Sequence, residues 1–172
     1  HDRYSLTRCP LSLSYLAGAL LENTDWNVKV FNADFHPEPL NFTNTYLTSV
    51  GYKNYLNSVN NMGHPLYQRI KTLIQSYSPS VVGLTCMTQN FISALNVAKI
   101  AKEFDDKILV ILGGPHTTLA KEECLAHSQV DICIQGEGEE TIVDLLNTTD
   151  NRHVFSNVLG LIYKNAEKRI CT

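Results

Sequence analysis

The sequence predicts an α/β domain built on a parallel sheet with helices on both faces. Two observations carry this. Short apolar runs alternate with stretches whose apolar residues recur at helical spacing. Each helical stretch is long enough for the right-handed crossover that joins successive parallel strands. Composition agrees: 172 residues suffice for one domain with a real core, and 44% hydrophobic against 18% charged residues excludes a disordered chain.

The elements follow in order. Leu13, Leu16, Ala17, Leu20 and Leu21 predict an amphipathic helix over 11–23, with Pro10 at its first turn. Asn27 to Ala33 alternates and reads as a strand near 28–33. Residues 36–64 hold six Asn and only two charged residues, Glu38 and Lys53, so they read as a long insertion with room for one short helix near 46–58. Leu66, Ile70, Leu73, Ile74 and Tyr77 restore a helix that Pro79 ends. Val81 to Cys86 reads as a fully buried strand, and Phe91 to Ala101 as the next helix. A second buried strand is expected near 108–112, then a short helix near 119–127 and a strand near 131–134. Ile142, Leu145 and Leu146 mark a helix with Glu139 and Glu140 in its first turn, which suits the helix dipole. A parallel strand near 158–163 closes the pattern.

Charge and cysteine content narrow the function. A net charge of −3 gives no electrostatic footprint for nucleic acid. No apolar run approaches a membrane span, and His1-Asp2-Arg3-Tyr4 has neither a signal layout nor a Met, so the expectation is a cytoplasmic chain cut from something longer. Cys9, Cys86, Cys124, Cys133 and Cys171 are scattered without a C-x-x-C, which argues against a self-contained zinc or iron–sulfur site and for reduced thiols. The acceptor patterns at Asn41 and Asn147 read as chance.

In a parallel sheet of this kind the ligand sits outside the carboxyl ends of the strands. Three loops there share glycines, hydroxyls and helix starts: Thr85-Cys86-Met87-Thr88-Gln89-Asn90, Gly113-Gly114-Pro115-His116-Thr117-Thr118, and Gln135-Gly136-Glu137-Gly138-Glu139-Glu140-Thr141. One such Gly pair is as readily a tight turn as a site; three on one edge favour a ligand. The chain has neither G-x-G-x-x-G nor a P-loop, and two acids after Gly138 would repel a pyrophosphate.

These residues bring a resemblance with them. Pro10-Leu11-Ser12-Leu13-Ser14-Tyr15-Leu16-Ala17, Val28 to Asp34, Val81 to Thr88 and above all the two glycine loops resemble the N-terminal cobalamin-binding domain of cobalamin-dependent radical SAM enzymes. Gly160-Leu161-Ile162-Tyr163 resembles the segment leading out of that domain, so 1–172 reads as one such domain with 36–64 inserted. The resemblance implies a Rossmann-like, flavodoxin-like fold, with a dimethylbenzimidazole tail in a slot between sheet and helices. It places Thr85 and Met87 along the slot, with Thr where the family has Ser. It sets the backbone of Gly113, Gly114 and Gly136 against the tail, where a side chain would collide. It turns Thr88, Gln89 and Asn90 toward the corrin, and His116 toward the tail phosphate or ribose. Thr117, Glu137 and Gly138 complete the cofactor-binding set, with no catalytic residue and no metal ligand among them.

Two departures accompany it. The family's first strand is missing ahead of the Pro10 helix, and the cluster motif C-x-x-x-C-x-x-C does not occur. SAM and a 4Fe–4S cluster would therefore belong to a C-terminal radical SAM domain of the same protein, leaving this part to bind rather than turn over. Asp34-Phe35-His36-Pro37-Glu38-Pro39 is a partial copy of the D-x-H-x-x-G motif that supplies a histidine to cobalt elsewhere. Pro39 in place of Gly and the polar excursion that follows argue against His36 as that ligand, and an apolar or water-bound lower face is expected. The other reading of the same alternation is a flavodoxin-like or receiver-like binding module, with Lys164 as a loose candidate for the receiver lysine.

Overall fold

The computed structural model describes residues 10–33, 56–148, 152–165 and 168–172. Helix α1 (Leu11–Asn23) is followed by α2 (Pro65–Tyr77), β1 (Val81–Thr85), α3 (Phe91–Phe104), β2 (Leu109–Gly113), α4 (Pro115–Ala120), β3 (Ile132–Ile134), α5 (Glu139–Asn147), β4 (Leu161–Asn165) and β5 (Lys168–Cys171). Strands lie in the order β1-β2-β3-β4-β5. β1, β2 and β3 are parallel neighbours. Alternation then sorts side chains onto two faces. Ile111, Ile132, Ile134, Leu161 and Tyr163 join Leu20 of α1 and Ile142, Leu145 and Leu146 of α5 on one face. Leu112, Cys133 and Ile162 join Ala94 and Leu95 of α3 on the other, and α2 stacks on α3 through Tyr67, Ile70 and Ile74.

The α/β layering agrees with expectation, and four details do not. Residues 28–32 form no strand, although Val28 packs against the first face and Phe31 against the second. An extended segment becomes a strand only where a neighbour completes its ladder, and β1 pairs with β2 alone among the described strands. The last strand is shifted to Leu161–Asn165, runs antiparallel to β3, and turns into a hairpin with β5. Helix α5 carries the chain away from the carboxyl edge. The 3₁₀ segment Arg152–Asn157 and Gly160, at φ 80°, bring it back before it enters the sheet, which reverses its direction.

The short helix starts earlier than expected, at Pro115 in its first turn, and gives way at Lys121 (φ 46°) to the 3₁₀ segment Lys121–Ala126. Finally, β1 is half-buried rather than fully buried, with Gly83 and Thr85 exposed. The expected helix near 46–58 lies almost wholly outside the described residues, of which 56–59 are helical; His36 also lies outside them. No helix among the described residues is long and apolar enough to cross a membrane.

Candidate functional site at the carboxyl edge of the sheet

The three loops meet at one edge and are stitched in sequence. The Cys86 amide donates to the Gly113 carbonyl at 2.9 Å, and the His116 amide to the Cys86 carbonyl at 3.2 Å. Thr88 Oγ1 lies 3.1 Å from His116 Nδ1, and the Phe91 ring packs against the imidazole at 4.2 Å between centroids. The second and third loops are joined by threonines. Thr117 is fully buried, and its hydroxyl faces the carbonyls of Gly114 at 2.7 Å and Ile134 at 2.9 Å. Thr118 Oγ1 accepts from the Gly136 amide at 3.1 Å. The third loop is tied to the start of β4 by the Gln135 amide on the Gly160 carbonyl, 2.9 Å. A rim braced this way holds its backbone groups in place before any ligand arrives.

The glycines divide into two kinds. Gly114 sits at φ 101°, and a Cβ there would lie 2.8 Å from the Cys86 carbonyl oxygen and 2.9 Å from Thr85 Oγ1. The protein itself demands that glycine, so the expected collision with a ligand is at Gly114 a collision with the first loop. Gly138 is also filled from within, its Cβ position lying 3.3 Å from Leu16 Cδ2 of α1. At Gly113 and Gly136 a Cβ would meet no atom of the described residues within 4 Å. Gly83 is equally open, although it lies inside β1.

Register places Gly83 beside Ile111 and Thr85 beside Gly113, on the face covered farther along by α1 and α5. Gly83, Thr85 and Gly113 thus form a strip of sheet that the side chains of the described residues leave open, with Gly136 open on the third loop beyond β3. From Thr85 to Gly83 the strip runs inward by two strand residues, about 7 Å. Bare backbone at Gly83 and Gly113 beside the Thr85 hydroxyl is a chemistry compatible with a flat, largely apolar ring laid against the sheet, as the tail of a cobalamin would be.

The other expected site residues are spread around this strip. Met87 is 54% exposed on the first loop. Asn90 uses its side-chain oxygen on the Met87 amide at 2.8 Å, a cap, while Thr88 and Gln89 are exposed on the same turn. Glu137 is exposed on the third loop. Thr117 belongs to the scaffold, because both partners of its buried hydroxyl are carbonyls of this chain. Gly83 escaped sequence reasoning, which treated its strand as fully buried. The available signal was a glycine in the interior of Val81-Val82-Gly83-Leu84-Thr85, a place where it weakens a strand and marks a close approach.

Behind the first loop, on the other face of the sheet, Cys86, Cys124 and Cys133 are buried together. Burial, with Cys124 beside it, pushes the Cys86 thiol up to about 11. Burial also raises Cys124 and Cys133, so all three are protonated, unreactive packing groups near neutral pH.

A B12 binding domain family model matches residues 7–146. An uncharacterized methyltransferase of Pyrococcus horikoshii is 30% identical over 160 residues, covering 92% of this chain and 28% of its own length. The cobalamin-dependent radical SAM methyltransferase TokK of Streptomyces tokunonensis is 37% identical over 76 residues, 44% of this chain and 11% of its own. The anaerobic magnesium-protoporphyrin IX monomethyl ester cyclase of Rubrivivax gelatinosus is 27% identical over 130 residues, 73% of this chain and 23% of its own. The chain therefore spans well under a third of each of these relatives. Among solved structures, the radical S-adenosylmethionine methyltransferase TsrM of Kitasatospora setae superposes with a TM-score of 0.65 at 14% identity, over 96% of this chain and 27% of that one, a likeness of fold. With the family match running from ahead of α1 to the end of α5, across all three loops of the braced edge, the chain belongs to the B12-binding domain family.

Proposed function

We propose that the chain is the cobalamin-holding module of a radical SAM enzyme whose reaction is methyl transfer, with SAM and a 4Fe–4S cluster held by a C-terminal domain of the same protein. The open edge at Gly83, Thr85, Gly113 and Gly136 carries this reading, because the space at its three glycines is filled by none of the described residues. Methyl transfer is favoured by the names of the Pyrococcus and Streptomyces relatives. When bound, the cofactor supplies a cobalt centre able to accept and deliver an alkyl group.

This chain's residues bind and orient. Gly113 and Gly136 offer backbone without side chains to the tail, and the Thr85 hydroxyl lies on the same strip. Met87, Thr88, Gln89 and Asn90 stand at the mouth on the corrin side. His116, braced by Thr88 and Phe91, serves the phosphate or ribose of the tail. Glu137 and Gly138 shape the third loop, Gly138 through its contact with α1. No histidine of this chain is assigned to cobalt, neither His36 nor His116. A cytoplasmic setting is supported by the buried free thiols Cys86, Cys124 and Cys133.

Mixing the chain with hydroxocobalamin, desalting and recording the visible spectrum tests the reading, with FMN as the control for a flavodoxin-like module. Retention of cobalamin at near one equivalent and loss of FMN is the expected result; retention of FMN alone overturns it. Electron paramagnetic resonance of the Co(II) form tests the lower face. Nitrogen superhyperfine splitting that vanishes in His36→Ala or His116→Ala would refute the unligated assignment.

A further inference from the structure

We infer that Gly83 is a specificity-determining residue of the site: its missing side chain is what admits the planar aromatic base of the cofactor tail. The inference rests on the cobalamin reading above and deepens it. The family match supplies the ligand, and Gly83 is the glycine of the strip that the fold does not account for, as Gly18 of α1, equally open, lies outside the three loops and the strip.

Each of three other glycines has a reason within the chain. Gly114 has a positive φ and the Cys86 carbonyl against it, Gly138 has Leu16, and Gly160 has a positive φ with Thr141 beside it. Gly136 also has a positive φ, at 71°, and Gly113 lies at the end of its strand. Gly83 has none of these reasons. It is the middle residue of β1, it is not among the glycines with positive φ, and no atom of the described residues lies within 4 Å of its Cβ position. Folding alone would favour a β-branched residue there, since glycine weakens a strand interior.

Its neighbour on the same face is Ile111, which is buried, while Gly83 and Thr85 are exposed. A side chain at residue 83 would therefore rise from the floor of the strip, two residues inside the rim. It would occupy the space that an aromatic ring laid against the sheet must fill. A side chain at Gly113 would stand only at the lip.

The test uses the purified chain with Gly83→Val and Gly83→Ala. Three measurements are made: the thermal midpoint without ligand, affinity for hydroxocobalamin, and affinity for dicyanocobinamide, which has the corrin but lacks the nucleotide tail. The expected result is an unchanged or raised midpoint for Gly83→Val, with hydroxocobalamin affinity lowered about tenfold or more. That affinity should fall to the level at which wild type holds cobinamide, and Gly83→Ala should lie between. A purely structural role would instead lower the midpoint and weaken both ligands together, which overturns the inference. So does Gly83→Val binding hydroxocobalamin like wild type, or wild type holding both corrinoids equally. Wild type failing to retain hydroxocobalamin at all overturns the underlying cobalamin reading, which separates the two failures.

Discussion

Gly114 is the residue whose replacement has the plainest expected cost. Its φ of 101° disfavours any side chain, and a Cβ would press on the Cys86 carbonyl at 2.8 Å. Gly114→Ala should destabilise the fold by about 1–3 kcal/mol, read as a lowered urea midpoint. Thr117→Val keeps the shape of a buried side chain but leaves the Gly114 and Ile134 carbonyls without its hydroxyl. About 1–2 kcal/mol should be lost, together with the link between the second and third loops.

Cys86 sets a pH dependence. Its folded-state pKa is raised from 9.0 to about 11, so the folded chain holds its proton where the unfolded chain gives it up. The resulting stability is intact below about pH 9 and declines as pH rises toward about 11. Urea midpoints measured across that window should fall, and less steeply in Cys86→Ala.

Among the elements, α3 and the start of β3 are clamped at the end of the sheet away from the candidate site. Lys102 Nζ reaches Asp131 Oδ2 at 2.7 Å and the carbonyls of Ile108 and Asp106 at 2.7 and 3.1 Å. The same carboxylate oxygen accepts the Val110 amide at 2.7 Å. The side chains keep 20% and 32% exposure, so solvent screens part of their attraction. Asp131→Ala should cost about 1–3 kcal/mol, chiefly through the unpartnered Val110 amide, and leave hydroxocobalamin affinity unchanged. Helix α1 depends on fewer contacts, with Leu20 its buried residue while Leu11, Tyr15 and Leu21 are exposed. Leu20→Ala should cost about 2–4 kcal/mol and loosen the packing of α1 on the sheet beside Ile142 and Leu145. Hydrogen exchange in α1 would report this as faster opening than in α3.

At the scale of the molecule, the bound cofactor should act as a stabiliser. Hydroxocobalamin at a hundred times its dissociation constant should add about 2.7 kcal/mol to the folded state and raise the thermal midpoint in proportion. A midpoint that ignores the ligand would count against a preformed site. The 172 residues contain no three-cysteine cluster motif. Reconstituted with iron, sulfide and SAM, this chain should therefore yield no 5′-deoxyadenosine above a protein-free control.

What the sequence determined by itself is local. Helical spacing marked α1, α2, α3 and α5 to within a few residues, and the apolar runs marked β1, β2 and β3, because periodicity records which side of an element faces the core. The glycine loops marked the edge at which the ligand is proposed to sit. Pairing was left to the tertiary structure. Residues 28–32 carry a strand pattern, yet a strand exists only where another strand completes its hydrogen bonds. The direction of β4 depended on the 3₁₀ segment Arg152–Asn157 and the turn at Gly160, which no periodicity encodes. The roles within the site were decided the same way. Gly114 and Gly83 are indistinguishable as letters, but one is held by the Cys86 carbonyl and the other opens onto empty space. Thr117 and Thr118 are adjacent, yet one is fully buried between two carbonyls and the other is exposed at the rim. Those distinctions come from what lies opposite each residue, and only the packed chain supplies an opposite side.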